Sequence, residues 1–140
     1  MKHNKPAVIF VCTHNACRSQ IAEAMGKRLA GDVFDSYSAG THIKAAVNPD
    51  AVRLMRETYG IDMIAGGQRP KLLSECPKAD WVITMGCGVR CPAVPGAHHE
   101  DWELEDPTGK SDADFLAVME QIEKHINVLK EKIAKEELES

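Results

Sequence analysis

Cys12 and Arg18, with five residues between them in Cys12-Thr13-His14-Asn15-Ala16-Cys17-Arg18-Ser19, are the pair in this sequence best placed to do chemistry. Directly upstream lies Ala7-Val-Ile-Phe-Val-Cys12, a continuous apolar, β-branched run of the kind that a strand covered on both faces requires. Downstream, Ile21, Ala22, Met25 and Leu29 recur at helical spacing until Gly31 stops the pattern. A loop between a parallel strand and a helix lies where α/β sheets bind ligands, and the helix start supplies unpaired backbone N–H groups and a positive dipole end. Thr13 to Ser19 can therefore curl round a tetrahedral oxyanion, with Arg18 donating a fork of two hydrogen bonds. The same field favours a thiolate at Cys12 and makes it a nucleophile aimed at the bound anion. Ser19 is placed to hydrogen-bond near the sulfur, and Asn15 to hold the loop's turn through its amide. A strand-end cysteine or a helix arginine alone would be commonplace; the strand context, the spacing and Ser19 together carry the reading.

Gly86-Cys87-Gly88-Val89-Arg90-Cys91-Pro92 holds a second pair of thiols in a loop whose glycines permit backbone rearrangement. One cysteine could then approach Cys12 and later its own partner, by thiol–disulfide exchange. A zinc site on Cys87, Cys91, His98 and His99 is the bland alternative, weakened by the lack of a second well-spaced ligand pair. No metal is assigned. Asp106, before Pro107, reads by itself as a turn aspartate in Asp-Pro-Thr-Gly, with the proline biasing it towards an extended conformation. Cys76, before Pro77, reads as incidental.

These groups need a scaffold, and the chain suggests one. A weaker second strand over 33–39 leads to Asn48 as a cap, Pro49 at the first helical position, and Val52, Met55 and Tyr59 on one helix face before Gly60. Trp81 to Met85 forms a third buried strand, and a short strand falls near His98 to Trp102. Ser111 and Asp114 open a last helix whose Phe115, Val118, Met119, Ile122, Ile126, Leu129 and Ile133 share a face. Alternating strands and helices predict an α/β fold of three layers: a central four-stranded parallel sheet with helices on both faces, in one domain spanning 1–140. No apolar run approaches the roughly 20 residues of a membrane span, and the N-terminus lacks a signal-peptide pattern, so a cytoplasmic location is expected. For the five cysteines, catalytic, redox or metal roles are then the options, not a secreted disulfide framework. With a net charge of −4 and dispersed Lys and Arg, nothing predicts a nucleic-acid partner.

The run from Cys12 to Gln20, followed by Ile-Ala-Glu-Ala, resembles the low-molecular-weight protein tyrosine phosphatase superfamily and, within it, the arsenate reductases coupled to thioredoxin. The likeness continues through Tyr37-Ser38-Ala39-Gly40, Val82 to Cys87 and Glu103 to Pro107, nearly the whole chain. It implies Asp106 as the proton donor for the departing oxygen, and a relay in which Cys12 attacks arsenate, Cys87 attacks Cys12 and Cys91 closes a Cys87–Cys91 disulfide. An external dithiol such as thioredoxin reopens that bridge, so no bound cofactor is implied, and a monomer is expected. Cys17 recurs in the family with a lesser part in electron flow. His14 departs from the glycine usual there, and Asn15, Glu23 and Ser38 resemble a potassium site of some relatives, with Lys71 near the missing carboxylate. Thr108-Gly109-Lys110 replaces the aromatic wall that phosphatases of the superfamily place after Asp-Pro, which argues against an aryl phosphate substrate. A phosphomonoesterase with redox-regulated cysteines is the alternative, and a non-enzymatic arsenic- or zinc-binding protein a third reading.

Overall fold

The computed structural model describes residues 5–86 and 96–139, with side chains to 136. Four parallel strands, β1 (Ala7–Cys12), β2 (Asp35–Gly40), β3 (Trp81–Thr84) and β4 (His98–Asp101), form one sheet in the order β2-β1-β3-β4. Among the described residues the helices are α1 (Arg18–Ala30), α2 (Pro49–Tyr59) and α3 (Asp112–Glu139), with a 3₁₀ turn at Leu73–Glu75. The α/β class and the four-stranded parallel sheet predicted from the sequence are both present. No helix among the described residues is long and apolar enough to cross a membrane.

β1 is central because both of its faces are apolar. Val8, Phe10 and Cys12 enter the larger core with Trp81, Ile83 and Met85, where α1, α2 and α3 supply Ile21, Met25, Met55, Phe115, Met119 and Ile122. Ile9, Val11 and Val82 face the other way into a smaller cluster with Ala39 and Ala79, packed by Leu73 and Cys76 around the 3₁₀ turn. Helical segments thus lie on both faces, unevenly. Among the described residues the three long helices serve one face, and one turn serves the other.

Several local expectations are adjusted. β2 starts at Asp35, because the Val33 and Phe34 N–H groups both bond back to the Ala30 carbonyl and belong to the turn that ends α1. Gly31 stops α1 without a left-handed φ; at −61° it is helical, and a Cβ there would lie 2.6 Å from the Lys27 carbonyl. In α2 the buried stripe is Ala51, Leu54 and Met55, with Val52 and Tyr59 only half-buried, so the inward face is rotated towards Leu54. The caps follow expectation. Asn48 Oδ1 accepts from the N–H groups of Asp50 and Ala51 at 2.8 and 3.2 Å, Gly60 adopts φ +69°, and Ser111 exchanges hydrogen bonds with Asp114.

The Asn48 cap fixes more than a helix, since its own N–H donates to the Ala16 carbonyl at 2.7 Å and so moors the Cys12 loop to the start of α2. Asn48→Ala keeps that backbone bond and removes the side-chain cap. Urea denaturation should show it less stable by about 1 kcal/mol, with Asn48→Asp recovering most of the loss.

Candidate active site

The loop after β1 is held by the end of β2 and the segment that follows it. Across it, the Thr41 and His42 N–H groups donate to the Thr13 carbonyl at 3.0 and 2.8 Å, and the Lys44 N–H to the His14 carbonyl at 3.1 Å. Gly40 ends β2 close against the loop: a Cβ there would stand 2.8 Å from the Thr13 carbonyl oxygen and 2.9 Å from the Asn15 nitrogen. Asn15, buried, takes φ +49°, a left-handed conformation that asparagine tolerates better than most residues.

Asn15 also sets the direction of a hydrogen-bond chain. Its Oδ1 accepts from the Lys71 N–H at 2.8 Å, a group that can only donate, and from Gln20 Nε2 at 3.1 Å. The amide nitrogen must then donate, and it does so to Ser19 Oγ at 2.8 Å. With its oxygen engaged as acceptor, Ser19 has its hydroxyl hydrogen free for Cys12 Sγ, 2.8 Å away. Asn15, Ser19 and Cys12 are thus joined through one chain.

Arg18 is only 6 % exposed, although it carries a full charge. Its Nη1 donates to the Met85 and Leu104 carbonyls at 2.8 and 2.9 Å, anchoring the guanidinium to the segments that follow β3 and β4. Nη2 lies 3.8 Å from Asp106 Oδ2, and the buried Nε has no partner among the described residues. An oxyanion accepting from Nε and Nη2 would complete the fork, because a buried donor left unpaired is costly.

Asp106 Oδ1 accepts from both the Thr108 hydroxyl, at 2.7 Å, and the Thr108 N–H, at 3.0 Å. Partial burial pushes the Asp106 carboxyl up, but those two bonds and the charges of Arg18 and Lys44 outweigh it and hold it below its usual 3.8. The free site therefore carries Asp106 as a carboxylate. Cys17 is the opposite case. Burial first, then the charges of Asp106 and Cys12, push its thiol up to about 12 against the Thr108 bond and Arg18, so it stays protonated.

Cys12, His14, Ala16, Cys17, Arg18, Lys44, Asp106 and Thr108 line a depression of about 10 Å³, beside a cleft of about 850 Å³ walled by Thr84, Glu103, Glu105 and Lys110. The structure so brings Cys12, Arg18, Asp106 and the whole Thr13–Ser19 loop together. Cys87 and Cys91 lie outside the described residues. Sequence reasoning missed Lys44 and Thr108. The Asp-Pro-Thr turn was a usable signal for Thr108, whereas Lys44 arrives only through the β2–α2 connection.

Glu23, 4 % exposed, sits behind the loop. Its Oε1 accepts from the Ser38 hydroxyl at 2.5 Å and pairs with the Lys71 ammonium at 3.3 Å, while Oε2 pairs with Lys27 at 2.7 Å. Two ammonium groups already neutralise this carboxylate. A potassium ion, suggested by the likeness of Asn15, Glu23 and Ser38 to relatives, would meet like charge here, and these residues do not fit it.

The Thr108 contacts give a direct check on the Asp106 carboxyl. Asp106, with its folded-state pKa lowered, contributes stability above its unfolded value and loses it as pH falls through the lower folded one. Carboxyl NMR titration should place its midpoint below 3.8, and Thr108→Val, which deletes the hydroxyl donor, should move that midpoint upward.

Residues 7–139 match the family model described as low molecular weight phosphotyrosine protein phosphatase. An arsenate reductase of Halalkalibacterium halodurans is 38% identical over 138 residues, 91% of this chain and 97% of the relative. A solved arsenate reductase in its phosphate-binding state superposes with a TM-score of 0.81 at 36% identity, covering 91% of this chain and 98% of that one. The thioredoxin-dependent arsenate reductase Cg_ArsC1' of Corynebacterium glutamicum gives 0.78 at 34% identity, covering 97% of this chain and 65% of that one. The Cys12 loop, the parallel sheet that carries it and the extent of these matches lead to one conclusion: the chain belongs to the low molecular weight phosphotyrosine protein phosphatase family and stands among its arsenate reductases.

Proposed function

We propose that the chain reduces arsenate to arsenite at Cys12, with electrons supplied by its own thiols and then by an external dithiol. The observation that carries the reading is the buried Arg18 guanidinium, spent on two carbonyls through Nη1 and left with an unpaired Nε, in the wall of the depression that also holds Cys12 and Asp106. The Corynebacterium relative, named as thioredoxin-dependent, supports thioredoxin as the dithiol.

The reaction starts with the Cys12 thiolate, steadied by the Ser19 hydroxyl, attacking arsenic while Arg18 and the loop N–H groups hold the oxygens. Asp106 begins as a carboxylate. The charge of the incoming oxyanion offsets Arg18 and Lys44 and raises the carboxyl's proton affinity, so that Asp106 takes up a proton and delivers it to the departing oxygen, which leaves as water. Cys87 then attacks the sulfur of Cys12. The sulfur–arsenic bond breaks with its electron pair passing to arsenic, which falls from the +5 to the +3 state and leaves as arsenite. Cys91 attacks Cys87 and frees Cys12, and the dithiol of thioredoxin reopens the Cys87–Cys91 bridge by exchange. The scheme needs no bound cofactor or metal. We place the protein in the cytoplasm, where thiols are kept reduced, as a monomer.

Arsenate turnover with thioredoxin, thioredoxin reductase and NADPH tests the proposal. Cys12→Ser should be inactive, and near-wild-type turnover in it removes the mechanism. Asp106→Asn should slow adduct formation roughly a hundredfold in rapid mixing. Cys87→Ser should fail to release arsenite. Cys91→Ser should release one equivalent and stop with a Cys12–Cys87 bridge, visible by peptide mapping after alkylation. Arsenate reduction with all of these thiols still free, in the absence of added reductant, would contradict the relay.

A further inference from the structure

We propose that His14 determines specificity: its imidazole, pinned at the mouth of the loop, divides the Cys12 depression from the larger cleft and restricts the site to free oxyanions over phosphate monoesters. This rests on the reading that the loop receives an oxyanion at Cys12.

The two cavities share three lining residues, His14, Arg18 and Asp106. Arg18 and Asp106 are committed to the reaction, whereas the chemistry asks nothing of a bulky ring at His14. The depression, at about 10 Å³, has room for little more than a water-sized centre, so whatever binds there is wrapped closely. The cleft beside it, at about 850 Å³, would hold an organic substituent with ease. An ester bound through its phosphoryl group at Cys12 has to pass its substituent across the shared rim to reach that space.

His14 is exposed, yet its ring is held. Nδ1 lies 2.8 Å from the His42 carbonyl oxygen, which can only accept, so Nδ1 carries the hydrogen and donates. The acceptor is itself fixed: the Thr41 and His42 N–H groups bond to the Thr13 carbonyl, and the Lys44 N–H to the carbonyl of His14 itself. The β2–α2 connection therefore grips this residue by backbone and side chain at once. Lys44 and Thr108 line the depression but not the cleft, so neither can act as the partition.

Shortening the side chain should join the two spaces and admit esters. In their hydrolysis a bond forms between Cys12 sulfur and phosphorus as the ester oxygen leaves with the proton of Asp106. Water then breaks the sulfur–phosphorus bond, giving orthophosphate and the restored thiol, with no change of oxidation state.

The test compares wild type with His14→Ala, His14→Ser and His14→Gln, using 4-nitrophenyl phosphate kinetics, orthophosphate calorimetry and thermal melting. The two small variants should gain about tenfold or more in kcat/KM for the ester, the scale on which pocket shape discriminates substituents. His14→Gln, which keeps bulk and a donor for the His42 carbonyl, should gain less. An unchanged kcat/KM in small variants that still bind orthophosphate overturns the proposal. Loss of orthophosphate binding in both also overturns it, because His14 would then support the loop and not divide the cavities. If wild type reduces no arsenate while the small variants gain ester hydrolysis, the assigned reaction fails and the partition stands.

Discussion

Everything at the site depends on keeping the Arg18 guanidinium charged while it is almost wholly withdrawn from water. Such a charge is tolerable only where fixed polar groups replace its hydration. Two backbone carbonyls do so, those of Met85 and Leu104, and each comes from the carboxyl end of a different strand. The start of α1 is thereby tied to the segments after β3 and β4, and the remaining nitrogens are pointed where an anion can satisfy them. The need to solvate one cation thus brings the Cys12 loop and the Asp106 loop together, with Nη2 of Arg18 3.8 Å from Asp106.

A second buried charge works behind the loop. Glu23 is neutralised by Lys27 and Lys71, and the main-chain N–H of Lys71 begins the chain through Asn15 and Ser19 to the Cys12 sulfur. The residue that cancels the carboxylate also orients the asparagine. Coupling of this kind makes the pieces non-additive: removing one member leaves the others buried with unmet donors or charge.

How much of this could be read from sequence depended on how local the cause was. β1 was legible from six apolar letters, α2 from Asn48, Pro49 and Gly60, and the start of α3 from Ser111 and Asp114, since each signal acts within a turn or two. The Cys12 loop was legible because strand, loop and helix adjoin in the chain. The start of β2 was misjudged by two residues, because Val33 and Phe34 have strand-like side chains but spend their N–H groups on Ala30. The inward turn of α2 towards Leu54, the hold of His42 on His14 and the arrival of Lys44 at the site depend on packing between distant segments. No periodicity encodes those contacts. Lys71 lay between these cases: its approach to Glu23 could be suggested by alignment, but its main-chain bond to Asn15 could not.

Burial and charge together fix the state of the second cysteine in this short loop. Cys12, at the end of β1, has the Ser19 hydroxyl against its sulfur and shares its depression with the Arg18 guanidinium. Cys17, at the threshold of α1, is buried towards the core and faces the Asp106 carboxylate, which together hold it as a thiol. Before any substrate arrives, Asp106 as an anion adds to burial in keeping the Cys17 thiol protonated, and its Thr108 bonds keep it in that form. When an oxyanion occupies the fork of Arg18, the cation that stabilised the carboxylate is shared with a competitor, and proton affinity at Asp106 rises. On the mechanism proposed above, substrate binding then converts the group from a carboxylate facing Cys17 into a proton donor for the leaving oxygen. One carboxylate can serve both roles because the same guanidinium couples it to the anion.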